Sequence, residues 1–191
     1  MTEKVYISAQ GLLDDSFQLG LEIIDSQFRP DFIVAIWRGG TPVGIAIQEI
    51  LTYFSIETDH IAIRTSSYTG INQRNKTVRV HGLNYIEDYA NHENSLLIVD
   101  DVFDSGLSID AVIKEIHQKC RRNTPGDIRI ATPWYKPGNN QTNLVPDFYL
   151  HETDKWLVFP HELSGLTINE IIKNKPNMAD KMTKHANLLQ Q

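Results

Sequence analysis

Residues 96–108, Leu-Leu-Ile-Val-Asp-Asp-Val-Phe-Asp-Ser-Gly-Leu-Ser, hold the densest run of chemically able side chains in the sequence. Four apolar residues end in the acid pair Asp100-Asp101. Successive residues of an extended strand face opposite sides, so the pair cannot both be core. Carboxylates at such a place suit ribose hydroxyls and a hydrated magnesium ion. Asp104-Ser105-Gly106-Leu107-Ser108 then reads as the opening of a helix. The first amides of a helix lack partners, and its dipole favours an anion. Gly106 lets the backbone come close, and Ser105 and Ser108 add hydroxyl donors. The stretch is a cradle for a phosphate monoester, although a solvated strand end and an N-cap without a ligand would use the same residues.

Two shorter stretches could join it. Arg38-Gly39-Gly40 offers a guanidinium fork and exposed amides, or an ordinary tight turn. Trp134-Tyr135-Lys136-Pro137-Gly138 brings a cation to another strand end. Other signals are poor. His161-Glu162 lacks the second histidine of a zinc helix, and the pair His117 and Cys120 does not make a metal site. Neither a Walker-type loop nor a dinucleotide-binding glycine pattern is present.

These stretches need a scaffold that gathers strand ends. Leu13, Phe17, Leu21, Ile24 and Phe28 recur at helical spacing, with Ser8 as a cap and Pro30 as a stop. Asp31–Trp37 reads as a buried strand, followed by a helix carrying Pro42 near its start and Ile47, Ile50, Leu51 and Phe54 inward. His60–Thr65 reads as a strand, Ser66–Val80 as a long polar loop or loose hairpin, and Ser95–Val99 as a buried strand. A helix follows with Ile109, Val112, Ile113 and Ile116 inward, then strands over Asp127–Pro133 and Pro146–Leu150 and a helix over Thr167–Lys173. Strands alternating with helices predict a parallel α/β sheet. In such sheets ligands bind beyond the carboxyl ends of the strands, where all three stretches fall.

Composition narrows the class. The 191 residues are 41% hydrophobic and 22% charged, which is globular usage rather than disorder. A formal net charge of −6 disfavours a dedicated duplex-DNA binder, so nucleic acid is an unlikely partner class. A single cysteine, Cys120, suits a reducing compartment. The opening Met-Thr-Glu-Lys lacks a signal-peptide pattern, and no apolar run is long enough to span a bilayer. A cytoplasmic protein with no membrane partner is the expectation.

Residues 96–108 resemble the phosphoribosyl pyrophosphate (PRPP) signature of type I phosphoribosyltransferases: four apolar residues, two acids, two variable residues, an acid, Ser/Thr, Gly, any residue, Ser/Thr. Arg38-Gly39-Gly40 resembles the family's pyrophosphate loop. Ser66-Ser67-Tyr68 with Asn72-Gln73-Arg74 resembles its flexible loop. Lys136-Pro137 and Asp154-Lys155-Trp156-Leu157 resemble the bacterial xanthine–guanine and hypoxanthine branch. The resemblance spans about residues 30–162. It implies an α/β core with a parallel sheet and helices on both faces over 1–145, a flexible loop near 66–80, a small hood over 146–175, and a polar tail over 176–191.

The implied activity is purine salvage: transfer of the 5-phosphoribosyl group from PRPP to a 6-oxopurine (hypoxanthine, guanine or xanthine), with release of pyrophosphate. Carried over residue by residue, Arg38, Gly39 and Gly40 bind pyrophosphate, and Arg74 closes over PRPP as a catalytic residue. Asp100 and Asp101 hold ribose hydroxyls, Asp101 also holding Mg²⁺. Asp104 is the general base beside purine N7. Ser105, Gly106, Leu107 and Ser108 cradle the 5′-phosphate, Lys136 donates to the C6 oxygen, Trp156 stacks on the ring, and the Leu157 backbone meets the base edge. The family also implies a homodimer or homotetramer. The pattern departs at Trp37, where the branch has a small residue, at Asn84–Asn94, which is longer, and after Leu163, where the tail has no counterpart. A regulator that senses PRPP or a nucleotide on the same fold is the alternative, with Arg74, Lys76, Arg79 and His81 as its basic cluster. An orotate or uracil enzyme is the other.

Overall fold

The computed structural model describes residues 3–68, 77–178, 181, 184 and 185. Along the chain the elements are β1 (Lys4–Tyr6), α1 (Ala9–Asp25), β2 (Phe32–Trp37), α2 (Gly40–Tyr53), β3 (Asp59–Tyr68), β4 (Thr77–His81), α3 (Asn84–Tyr89), β5 (Ser95–Val99), β6 (Val102–Phe103), α4 (Leu107–Cys120), β7 (Asp127–Ala131), β8 (Trp134–Tyr135), β9 (His151–Glu152), β10 (Trp156–Val158) and α5 (Ile168–Asn174). They form two compact units, one of residues 9–154 and one joining residues 1–8 to 155–191.

The larger unit is built on a five-stranded sheet in the order β4-β3-β2-β5-β7. β3, β2, β5 and β7 run parallel, and β4 returns antiparallel beside β3. Apolar runs buried on both faces make the central strands. Phe32, Val34, Ile36, Leu96 and Ile98 meet Ile86 of α3 and Ile109, Val112 and Ile116 of α4 on one face. On the other, Ile33, Leu97 and Val99 are sealed beneath α2, whose Val43, Ile47 and Leu51 are buried, with α1 packed on α2. The result is the expected parallel-sheet core with helices on both faces. A small parallel sheet, β6-β8-β9, stands beyond it.

Several local expectations are corrected. α1 does not bury the Leu13 stripe; its buried residues are Leu12, Ser16, Leu19, Gly20 and Ile23, and Leu13 is exposed. Ser16 tolerates burial because its hydroxyl donates to the Leu12 carbonyl at 2.6 Å. The helix ends at Asp25, and Gln27 turns the chain at φ 65°, before Pro30 can act. Phe54 lies past the end of α2 and is half exposed. Of the two forms expected for residues 66–80 the hairpin is the one present: β3 runs to Tyr68 and pairs antiparallel with β4 from Thr77, while residues between them lie outside the described ones. Residues 84–89 form a helix where none was expected. Pro146–Leu150 makes only a single bridge, Ala131 to Phe148, rather than a strand.

In the smaller unit β1 pairs parallel with β10, and α5 opens with a capping box between Thr167 and Glu170. Among the described residues no helix is long and apolar enough to cross a membrane.

Candidate active site

The loop after β5 and the loop after β2 meet at the carboxyl edge of the sheet, because β2 and β5 are parallel neighbours. Asp101 is buried, 8% exposed, against the backbone of Gly39. Any side chain at Gly39 would overlap the Asp101 carboxylate, so glycine there is a condition of the approach. Asp100 accepts hydrogen bonds from the Asp101 amide at 3.0 Å and from the Gly40 amide. It therefore ties the two loops together. Burial, with the Asp101 charge beside it, pushes the Asp100 carboxyl well above the usual carboxylate range. The Trp37–Arg38 peptide is cis.

Beyond Asp101 the chain makes the short strand β6 and turns into α4. A cavity of about 200 Å³ opens here, lined by Asp100, Asp104, Ser105, Gly106 and Ser108 among others. Gly106 precedes α4 with φ 74°, a left-handed conformation that glycine takes without strain. A methyl at Gly106 would also lie 2.8 Å from the Phe103 ring and 2.7 Å from Thr142 Oγ1. The Leu107 amide is bonded by Ser105 Oγ at 3.4 Å. The cavity thus joins two hydroxyls, a helix N-terminus and a carboxylate rim, the chemistry of a phosphorylated polyol site.

Lys136 reaches this rim through β-pairing. β6 pairs with β8, and the Lys136 amide donates to the Phe103 carbonyl at 2.9 Å. Its side chain, 9% exposed, carries Nζ to 3.2 Å from Asp104 Oδ2, on a carboxylate that is about half exposed. The sequence reading missed the next contact: Asn139 Nδ2 donates to Asp104 Oδ1 at 2.8 Å. Residues 140–142 close the same corner, the Gln141 amide donating to the Ser105 carbonyl and the Thr142 hydroxyl to Asn140 Oδ1. The Asn-Asn-Gln-Thr run carries no motif; only its place just after Lys136-Pro137-Gly138 pointed to it.

The structure therefore gathers Gly39, Gly40, Asp100, Asp101, Asp104, Ser105, Gly106, Leu107, Ser108 and Lys136 along one edge, with Arg38 in the loop that Asp101 packs on. Arg74 lies outside the described residues. Trp156 and Leu157 belong to β10 of the other unit, where Trp156 is 57% exposed and Leu157 is buried. Trp156 shares a cavity there with Lys4, Tyr6, Thr167 and Glu170.

Among the described residues no group of three or more His, Cys, Asp or Glu side chains could cage a metal. The oxygen-only pair Asp100–Asp101 nevertheless fits Mg²⁺, which takes one or two carboxylates and completes its shell with water and substrate phosphates.

The family described as phosphoribosyl transferase domain matches residues 9–164. Among solved structures, a purine phosphoribosyltransferase from Pyrococcus horikoshii is 28% identical, with 86% of this chain and 97% of that one covered at a TM-score of 0.65. A xanthine-guanine-hypoxanthine phosphoribosyltransferase from Helicobacter pylori is 21% identical, with 82% and 92% covered at 0.63. A hypothetical protein from Neisseria gonorrhoeae with bound ppGpp is 18% identical, with 95% and 98% covered at 0.73. No match was found among curated proteins.

Proposed function

The chain belongs to the phosphoribosyl transferase domain family, and from that premise we propose that it transfers the 5-phosphoribosyl group of PRPP to a 6-oxopurine and releases pyrophosphate. The observation that carries the base class is the Lys136–Asp104 pair, a cation and a carboxylate 3.2 Å apart at the rim of the cradle. A 6-oxopurine presents an acceptor at C6 and, when protonated at N7, a donor beside it. Lys136 matches the first and Asp104 the second. Adenine places an amine donor opposite a cation and loses that match.

The residues would divide the work as follows. Ser105, Ser108 and the first amides of α4 hold the 5′-phosphate, and Gly106 admits it. Asp100 and Asp101 face the ribose hydroxyls, while the Arg38-Gly39-Gly40 loop takes the pyrophosphate. Asp101, with Asp100 beside it, would hold Mg²⁺, which would supply positive charge to balance the negative charge of the pyrophosphate. Departure of the pyrophosphate leaves an oxocarbenium-like sugar, and the purine nitrogen bonds to C1′ as the bond to pyrophosphate breaks. Asp104 accepts the purine N7 proton, with Lys136 and Asn139 fixing its carboxylate. Trp156 stacks on the base, Leu157 meets its edge, the region 146–175 forms the hood and 176–191 the tail, and Arg74 closes over PRPP. These positions outside the cradle rest on the sequence resemblance. A cytoplasmic homodimer or homotetramer is the matching physical form.

A panel of hypoxanthine, guanine, xanthine, adenine, orotate and uracil with PRPP and magnesium, read as pyrophosphate release, tests the reading. Turnover with the 6-oxopurines alone supports it; turnover with orotate or uracil alone replaces it with the pyrimidine assignment. The second reading is a nucleotide sensor, favoured by the ppGpp-bound neighbour that spans nearly the whole chain. Tight nucleotide binding with no turnover of any base would establish that reading instead.

A further inference from the structure

The backbone that forms the cradle has little to hold it from within. β6 ends at Phe103 and α4 starts only at Leu107, so residues 104–106 belong to no regular element. Gly106, left-handed at φ 74° and without a Cβ, restrains its own backbone least of all. The restraint comes from outside. After Lys136 the chain turns back along the cradle and meets it residue by residue. Asn139 Nδ2 donates to Asp104 Oδ1 at 2.8 Å, and the Gln141 amide donates to the Ser105 carbonyl at 3.0 Å. Thr142 Oγ1 lies 2.7 Å from where a methyl at Gly106 would sit. The turn thus grips positions 104, 105 and 106 in order.

Asn140 keeps the turn in that shape. Its Nδ2 donates to the Tyr135 hydroxyl at 3.2 Å and to the Leu144 carbonyl at 2.7 Å. Its Oδ1 accepts from the Thr142 amide and the Thr142 hydroxyl, both at 2.9 Å. Both amide hydrogens and both lone pairs of the side chain are therefore used. The Leu144 amide closes the ring by donating to Thr142 Oγ1 at 3.2 Å. Tyr135 anchors the ring in the core, buried and edge-on to Phe103 at 5.5 Å between ring centroids. A polar network with every member paired rigidifies what it touches. The cavity walls come from residues 100–109, so Asn140 and Thr142 act through the cradle and not on its contents.

We propose that Asn140 is a positioning residue for the phosphate end of the site: it locks the turn over residues 139–142, and the turn holds Ser105 and Gly106 in the form that receives a phosphate monoester. Lys136 begins the same turn, its carbonyl accepting from the Asn139 amide at 3.1 Å. The cation assigned to the purine and the cradle assigned to the phosphate are in this way parts of one rigid piece. The proposal rests on the reading that residues 105–108 take the 5′-phosphate, and its test separates the two.

Titration calorimetry with ribose 5-phosphate, without a purine, reads the cradle alone. Asn140→Ala should weaken this binding by about tenfold, the scale of one or two lost hydrogen bonds, in a chain that circular dichroism shows to be folded. Thr142→Val keeps the side-chain shape and deletes the hydroxyl; it should weaken binding similarly, and it carries the test should Asn140→Ala unfold. Thr142→Ser, which keeps the hydroxyl, should bind as the wild type does. In turnover, Asn140→Ala and Thr142→Val should raise KM for PRPP while kcat and the preference for hypoxanthine over adenine stay near wild type; a general loss of structure would lower kcat as well. A wild-type protein that binds no ribose 5-phosphate would overturn the reading of the cradle and this proposal with it. A wild-type protein that binds it, with Thr142→Val binding equally well or Thr142→Ser as weak as Thr142→Val, would overturn the proposal alone.

Discussion

The carboxyl edge of the sheet and the β1–β10–α5 unit use polar residues in opposite ways. At the edge, charge is placed where stability alone would not put it. Asp101 is buried beside a glycine, Asp100 is held near a second acid against its electrostatic preference, and Gly106 adopts a left-handed turn in contact with an aromatic ring. In the other unit the polar contacts relieve each other. Lys4 Nζ lies 2.6 Å from Glu170 Oε1, and the remaining Glu170 oxygen accepts from the Thr167 amide and hydroxyl. At the edge the charged groups line a cavity even where they are paired, as Asp104 is by Lys136 and Asn139, whereas in the other unit both Glu170 oxygens are taken up by the chain itself. Variants should therefore separate: those at the edge should change turnover more than stability, and those in the smaller unit the reverse.

The largest effect should come from Asp104→Ala. Loss of a general base costs about 10²–10⁴-fold in turnover. The carboxylate is about half exposed, but its loss leaves the buried Lys136 ammonium without that partner, so the melting temperature should fall modestly beside the much larger loss of turnover. Single-turnover rates with hypoxanthine measure the first quantity and calorimetry the second. A variant with near wild-type turnover would break the comparison at its strongest point.

Lys136→Met sharpens it. Methionine keeps the apolar stem that the buried lysine packs with, and removes only the donor. A hydrogen bond from a charged donor contributes roughly 1.5–3 kcal/mol, so kcat/KM for hypoxanthine relative to adenine should fall by about one to two decades. Equal losses on both bases would show that Lys136 merely positions Asp104.

Gly106→Ala asks how far the edge strains the backbone. The left-handed conformation costs an L-residue about 1–2 kcal/mol, before any contact with Phe103. Urea unfolding should show that loss, accompanied by a higher KM for PRPP. Unchanged values of both would mean that the bend before α4 relaxes freely.

The edge was legible in the sequence because most of it is contiguous. Residues 96–108 carry strand, acids and bend in one run, so the fold places them together whatever the rest does. What was missed depends on distant partners. Asn139 acts on an aspartate 35 residues away, and nothing in its own neighbourhood announces that. The buried stripe of α1 was misplaced by one position because Ser16 and Gly20, neither of them apolar in the usual sense, face inward. Gly20 is buried because Ile50 of α2 packs directly on it. The hairpin was one of the two forms read for Ser66–Val80, but its extent was missed: Ile61, Ile63 and Val80 turn to the core while Arg64, Arg79 and His81 lie exposed, so the apolar signal is short.

Glu170→Gln should have the smallest effect: a modest loss of stability that is fully present near neutrality and disappears at acid pH. The Lys4 ammonium, followed by the Thr167 amide and hydroxyl, holds the Glu170 carboxyl down to about 2, below its ordinary value of 4.5. A carboxyl whose pKa is lower folded than unfolded binds fewer protons in the folded state. Its stabilisation is therefore complete above the unfolded value and fades as pH falls from about 4.5 toward 2. Glutamine keeps an acceptor for the capping box but cannot titrate. The slope of unfolding free energy against pH should thus be shallower in the variant across that window and unchanged near neutrality, with purine turnover at neutral pH left as it was. Parallel curves for the two proteins would mean that Glu170 titrates alike folded and unfolded, and that the smaller unit gains no stability from its paired charges.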